Sequence, residues 1–120
     1  MYMDKNLVFS EGQTLAAGVS QNVIDFGTKG DGYPNGFLVV NLEKELTVAQ
    51  NLTVEVQTSK DSNFATLESV ATFVAKKGVR NAVRQILPLG LNRYVRLNYA
   101  VVGAPTGKMT AIVAADVEVG

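Results

Sequence analysis

Cysteine, histidine and tryptophan are absent from this 120-residue chain. Without cysteine there can be no disulfide framework and no thiolate chemistry, so stability has to come from packing or from partners. Without histidine the commonest general base and the commonest metal ligand are missing. Eleven basic and eleven acidic residues cancel, which indicates no general attraction to nucleic acid or membranes. We therefore expect a protein that is not an enzyme and that carries no cofactor or metal.

Long apolar runs are lacking as well. No stretch approaches the roughly 18 residues that a membrane-spanning helix needs. Residues 1–6 do not form a basic region followed by an apolar block, so we expect no signal peptide and synthesis in a cytoplasm.

What the chain does contain is 47% hydrophobic residues, arranged mainly with a period of two. This pattern predicts strands over residues 13–17, 21–26, 37–42, 52–58, 66–74 and 82–87, and a glycine-rich loop over residues 27–36. Turn signals recur about every 8–12 residues, which is typical of a sandwich or barrel. The predicted fold is all-β, a jelly-roll-like β-sandwich of about eight antiparallel strands.

The stretch over residues 93–119 holds two apolar runs on either side of a loop rich in glycine and proline, and it predicts a closing β-hairpin. We expect a single domain over residues 10–120. Residues 1–9 precede it as an N-terminal arm or a short first strand. Because Leu7, Val8 and Phe9 form an isolated apolar triplet, we hypothesise that this arm contacts a neighbouring chain, which deletion of residues 1–9 would test.

Charge is distributed unevenly along the chain. No acid lies between Glu68 and Asp116, whereas seven basic residues do: Lys76, Lys77, Arg80, Arg84, Arg93, Arg96 and Lys108. Three interpretations of this segment are open. It is a solvated surface, or a basic patch that docks on an acidic protein or a sister subunit, or a site for nucleic acid. We rank nucleic acid last because few aromatic residues accompany the cations. The candidate contacts with a partner are Arg80, Arg84, Arg93 and Arg96.

Four sequence pieces resemble the capsid cement (decoration) proteins of tailed bacteriophages, especially the short-tailed phages. They are MYMDKNLVFS at 1–10, NVIDFG at 22–27, VEVQTSKDSNF at 54–64 and RYVRLNY at 93–99. The resemblance implies a jelly roll on the outer surface of an icosahedral head. It also implies homo-oligomers, a dimer being preferred over a trimer, that bridge neighbouring major capsid subunits without touching nucleic acid or membrane.

The second hypothesis is a carbohydrate- or receptor-binding jelly roll of a phage tail, which would use exposed tyrosines as sugar platforms. The positions of Tyr33 and Tyr94 discriminate between the two. An enzyme ranks third, since it would need two acids converging in one pocket.

Overall fold

The structure, a computed structural model, describes residues 8–25, 36–87 and 91–115. These residues contain nine antiparallel strands. The strands are β1 Val8–Thr14, β2 Gly18–Val19, β3 Ile24–Asp25, β4 Gly36–Leu42, β5 Asn51–Ser59, β6 Leu67–Val74, β7 Asn81–Ile86, β8 Tyr94–Val102 and β9 Lys108–Ala115. Among the described residues there is no helix with the length and hydropathy needed to cross a membrane. The predicted loop over residues 27–36 lies almost wholly outside the described ranges.

The strands form two sheets. One has the order β1-β9-β4-β7, and the other has the order β2-β8-β5-β6, with β3 also pairing with β8. The chain changes sheet at every connection except those between β2 and β3 and between β5 and β6. If β2 and β3 are counted as two parts of one edge strand, this is the order of an eight-stranded jelly roll. The predicted all-β sandwich is therefore confirmed.

The core lies between the two sheets and follows the alternation of the sequence. Leu52, Val54 and Val56 of β5 are fully buried, as are Val95 and Leu97 of β8. Side chains at every second position point to the same face of a strand, so a period of two gives each sheet one apolar inner face. Each such side chain contributes about 1.5–3 kcal/mol on burial.

Strand β4 is buried on both faces, as its nearly continuous apolar run predicts. It lies in the middle of its sheet, between β9 and β7. Val40 packs in the core between the sheets, while Val39 belongs to a second buried cluster with Val8, Ile112 and Ala114. Half-buried Phe37 packs against this second cluster, which lies on the outer face of the β1-β9-β4-β7 sheet.

The predicted hairpin over residues 93–119 is wrong. β8 and β9 are antiparallel strands of different sheets, and the loop between them carries the chain from one sheet to the other. Gly103 and Gly107 in this loop have φ angles of 81° and 94°, and Ala104 has a φ of 50°. A sequence with two apolar runs and a turn does not specify whether the runs pair with each other or face each other across a core.

The first strand also differs from the prediction of a strand over residues 13–17. β1 begins at Val8, continues through Gly12 with a positive φ of 63°, and ends at Thr14. Its pairing with β9 has register shifts on both sides of Ser10. These bulges let β1 continue through Gly12 as one strand.

Tyr99 of β8 joins β1 across the core. Its hydroxyl lies 2.8 Å from the Ser10 hydroxyl, which donates to Oε1 of Gln13. Burial raises the pKa of Tyr99 to about 12 from its ordinary value of 10.0. The unfolded chain therefore loses this proton at a lower pH than the folded chain does, so the stability from neutral Tyr99 is complete below pH 10 and decreases between about pH 10 and pH 12.

We expect the free energy of unfolding to fall more steeply with alkaline pH for the wild type than for Tyr99→Phe. The difference between about pH 9 and about pH 11 should be about 1 kcal/mol. At neutral pH the variant should lose about 1 kcal/mol with the Ser10 hydrogen bond. Urea unfolding at each pH measures both effects, and parallel pH profiles would contradict the buried, neutral phenol.

Candidate functional site

The four arginines predicted as contacts do not form one surface. Arg93 directly precedes β8, and Arg96 lies within it. Arg80 and Arg84 lie just before and within β7, which belongs to the other sheet. Arg84 pairs with Val39 of the outer cluster, while Arg96 alternates with core residues of β8. Arg84 and Arg96 therefore point away from the core in opposite directions.

Arg93 is paired within the chain. Its Nε and Nη2 donate to the two carboxylate oxygens of Asp25 at 2.8 and 2.9 Å. These hydrogen bonds raise the pKa of Arg93 above its ordinary value. Its guanidinium also lies 5.0 Å from the centre of the Tyr94 ring. The charge of Arg93 is thus largely matched before any partner arrives.

Arg96 is held differently, by an aromatic ring and an amide. Its guanidinium carbon lies 4.3 Å from the centre of the Phe64 ring, within the range of a cation–π contact. Its Nε donates to Oε1 of Gln57 at 2.8 Å. Phe64 is buried and has a φ of 55°, an unusual conformation for a bulky residue. Its backbone N–H donates to the carbonyl of Asp61, which closes the turn that presents the ring.

Hydrogen bonds continue from Arg96 along the outer face of the β2-β8-β5-β6 sheet. Gln57 donates through Nε2 to Oε1 of Glu55 at 2.9 Å, and Asn98 donates through Nδ2 to the same oxygen at 3.1 Å. Side-chain hydrogen bonds from Ser69 and Asn98 lower the pKa of Glu55. We call Arg96, Gln57, Glu55 and Asn98 the polar ladder. Its hydrogen bonds fix the positions of one positive charge, on Arg96, and one negative charge, on Glu55.

Apolar side chains are exposed at one end of the same face. Val102 is 61% exposed and pairs with Asn51, while Val74 is 67% exposed and pairs with Thr53. Ala100 of β8 is also exposed, and it pairs with Thr53 on the opposite side of β5 from Val74. This face therefore combines ordered polar groups with accessible apolar ones, and we call the whole of it the ladder face.

Arg80 directly precedes β7, and Arg84 lies within that strand. Arg80 is exposed, and its carbonyl accepts a hydrogen bond from the backbone of Leu42. The Arg84 guanidinium carbon lies 4.9 Å from the centre of the Phe37 ring. In the described part of the chain the one ion pair joins Arg93 to Asp25, so neither Arg80 nor Arg84 is paired with a described carboxylate.

The apolar triplet is placed only in part. Val8 and Phe9 are buried in β1 against the chain's own strands, so a partner could reach them only if β1 left its sheet. Leu7 lies outside the described residues. A deletion that tests the arm must therefore end before Val8. Tyr33 also lies outside the described residues, and Tyr94 is half-buried beside Arg93.

Sequence reasoning missed Gln57, Glu55 and Phe64 as members of the site. The alternation in residues 52–58 places Glu55 and Gln57 on one outer face, which was a usable signal. Their partners Arg96 and Asn98 come from β8, and the register Gln57↔Arg96 and Glu55↔Asn98 exists only in the folded sheet.

The chain matches the model of a known protein family. The model of the Bbp16 family, a name that suggests an association with bacteriophages, matches residues 9–113. No curated protein matches the chain. The matched range begins in β1 and ends in β9, so it includes strands of both sheets and the ladder face. The chain therefore belongs to the Bbp16 family.

Proposed function

We propose that this chain is a structural protein of a phage virion. It binds the outer surface of an icosahedral head and bridges neighbouring major capsid subunits, which stabilises the shell. The observation that carries the proposal is the family match over residues 9–113, together with the four sequence pieces that resemble capsid cement proteins. The protein is made in the bacterial host and acts as a homo-oligomer.

The ladder face is the surface that we assign to the capsid. Arg96 is fixed by Phe64 and Gln57 before binding, so it loses little side-chain freedom when a partner arrives. The exposed Val102 and Val74 add apolar area that a partner could cover. One oligomer that grips several capsid subunits binds tightly even if each contact is weak, because the later contacts are intramolecular.

A sugar-binding tail module is the second candidate, and Tyr94 bears on it. A pyranose stacks on an aromatic side chain only where a face of that aromatic ring is accessible. The guanidinium of Arg93 lies over the Tyr94 ring and is held there by Asp25. This arrangement favours the structural role over the sugar-binding one.

Purified heads that lack this chain provide the test. We expect the recombinant protein to bind them, and we expect occupancy to fall several-fold between low and moderate ionic strength, because the contact includes fixed charges. Sedimentation of heads with labelled protein measures occupancy. Failure to bind at low ionic strength would overturn the proposal, whereas binding without salt dependence would remove the arginines from the contact.

A further inference from the structure

Strand β7 is an edge strand: β4 is the one described strand that pairs with it. Leu87 donates its backbone N–H to the carbonyl of Gly36 at 3.0 Å. In an antiparallel pair, alternate residues direct both backbone groups to the same neighbour. The N–H and C=O of Arg84 and Ile86 therefore point away from β4.

The first residues of this edge are already hydrogen-bonded within the chain, whereas no described strand pairs with the later ones. The backbone N–H of Lys76 donates to the carbonyl of Ala82 at 2.8 Å, so the turn before β7 already occupies that position. No strand of the described residues lies against Arg84 and Ile86. Ile86 is 62% exposed and offers an apolar side chain next to these backbone groups, which no described strand pairs.

A groove of about 220 Å³ runs beside this edge, between the end of β6 and β7. Two cations, Lys76 and Arg84, line it together with Asn81, Val74 and Val83, and no acid is among the lining residues. Arg84 is positioned by its contact with the Phe37 ring. The edge therefore presents hydrogen-bonding groups, an apolar side chain and two cations that no described carboxylate pairs.

We propose that the free edge of β7 binds an extended, acidic segment of a partner protein, which adds to the sheet as a further strand. Backbone hydrogen bonds to Arg84 and Ile86 would hold the segment, and its carboxylates would meet Lys76 and Arg84. A second copy of β7 fits poorly, because pairing two such edges brings arginines together. This site lies beside β7, in the other sheet from the polar ladder, and shares Val74 with the ladder face. It goes beyond the proposed function.

The test uses the full-length protein and three capped hexapeptides as probes. One alternates glutamate with valine, the second alternates lysine with valine, and the third is the acidic peptide N-methylated at every residue. We expect the acidic peptide to shift the amide resonances of Arg84 and Ile86, to slow their hydrogen exchange, and to bind in about the millimolar range or tighter. The lysine and N-methylated peptides should bind at least about tenfold more weakly.

Two variants sharpen the test. Arg84→Gln should weaken the acidic peptide at least about fivefold, whereas Lys60→Gln, a cation next to β5 in the other sheet, should not. Equal binding of the N-methylated peptide would overturn strand addition, and so would the absence of shifts at Arg84 and Ile86. Both results come from the wild type, so they hold even if a variant misfolds. No capsid is involved, so the outcome is independent of the head-binding test.

Discussion

Replacing Gly103 by alanine is expected to lower the free energy of unfolding by about 3–5 kcal/mol. Two effects combine at this position. The φ of 81° is one that residues with a Cβ rarely adopt. A Cβ at Gly103 would also overlap the carbonyl oxygen of Ala49 and lie 3.0 Å from the Cα of Gln50. Both neighbours are backbone atoms, so relief requires one loop to move away from the other.

Gly78→Ala is the matched control, because the φ of Gly78 is 77° and a Cβ there would meet nothing within 4 Å. We expect it to cost about 1 kcal/mol, the conformational strain alone. Urea unfolding of both variants measures the difference. Equal losses would mean that the loops over residues 47–50 and 103–107 are not in close contact.

Loss of the charge at Arg96 is expected to reduce binding to heads about tenfold or more. Arg96→Gln removes the cation that Phe64 and Gln57 hold in place, so the partner's matching group loses its counter-charge in a partly desolvated contact. In the oligomer proposed above several copies bind at once, so the loss per copy accumulates. Occupancy of purified heads against protein concentration gives the affinity.

Arg93→Gln is the control for this effect. Asp25 already matches the charge of Arg93, and this exposed ion pair contributes little to stability. We expect it to bind heads within about twofold of the wild type. Thermal unfolding should show that both variants remain folded. If Arg93→Gln proves the more damaging variant, the contact lies nearer the β3 edge than the polar ladder.

The turn over residues 59–64 and the strand after it illustrate how far local pattern reaches. The polar residues before Phe64 form a turn, in which Phe64 is buried and its N–H donates to the carbonyl of Asp61. The sequence does not reveal that the Phe64 ring lies beneath Arg96, because a cation–π contact joins residues that are distant in the chain. The bulge between Val56 and Gln57 in the pairing with β6 is likewise invisible in the alternation.

The basic segment shows the same limit at larger scale. Its arginines are close in sequence, but a jelly roll sends successive strands to opposite sheets, so β7 and β8 carry Arg84 and Arg96 to opposite outer faces. Sequence proximity therefore predicts one patch where the fold makes two. The patch that contains Arg96 lies on the ladder face, and the patch that contains Arg84 lies beside the β7 edge.

The sequence by itself determined that this is an all-β sandwich and which residues of β5 and β8 share its inner face, because a period of two and the cost of exposing apolar groups act locally. Only the tertiary structure decided which strands pair, in which register, and on which face each charge lies. Pairing depends on long-range closure of the chain, and no local pattern distinguishes a hairpin from a crossing between sheets.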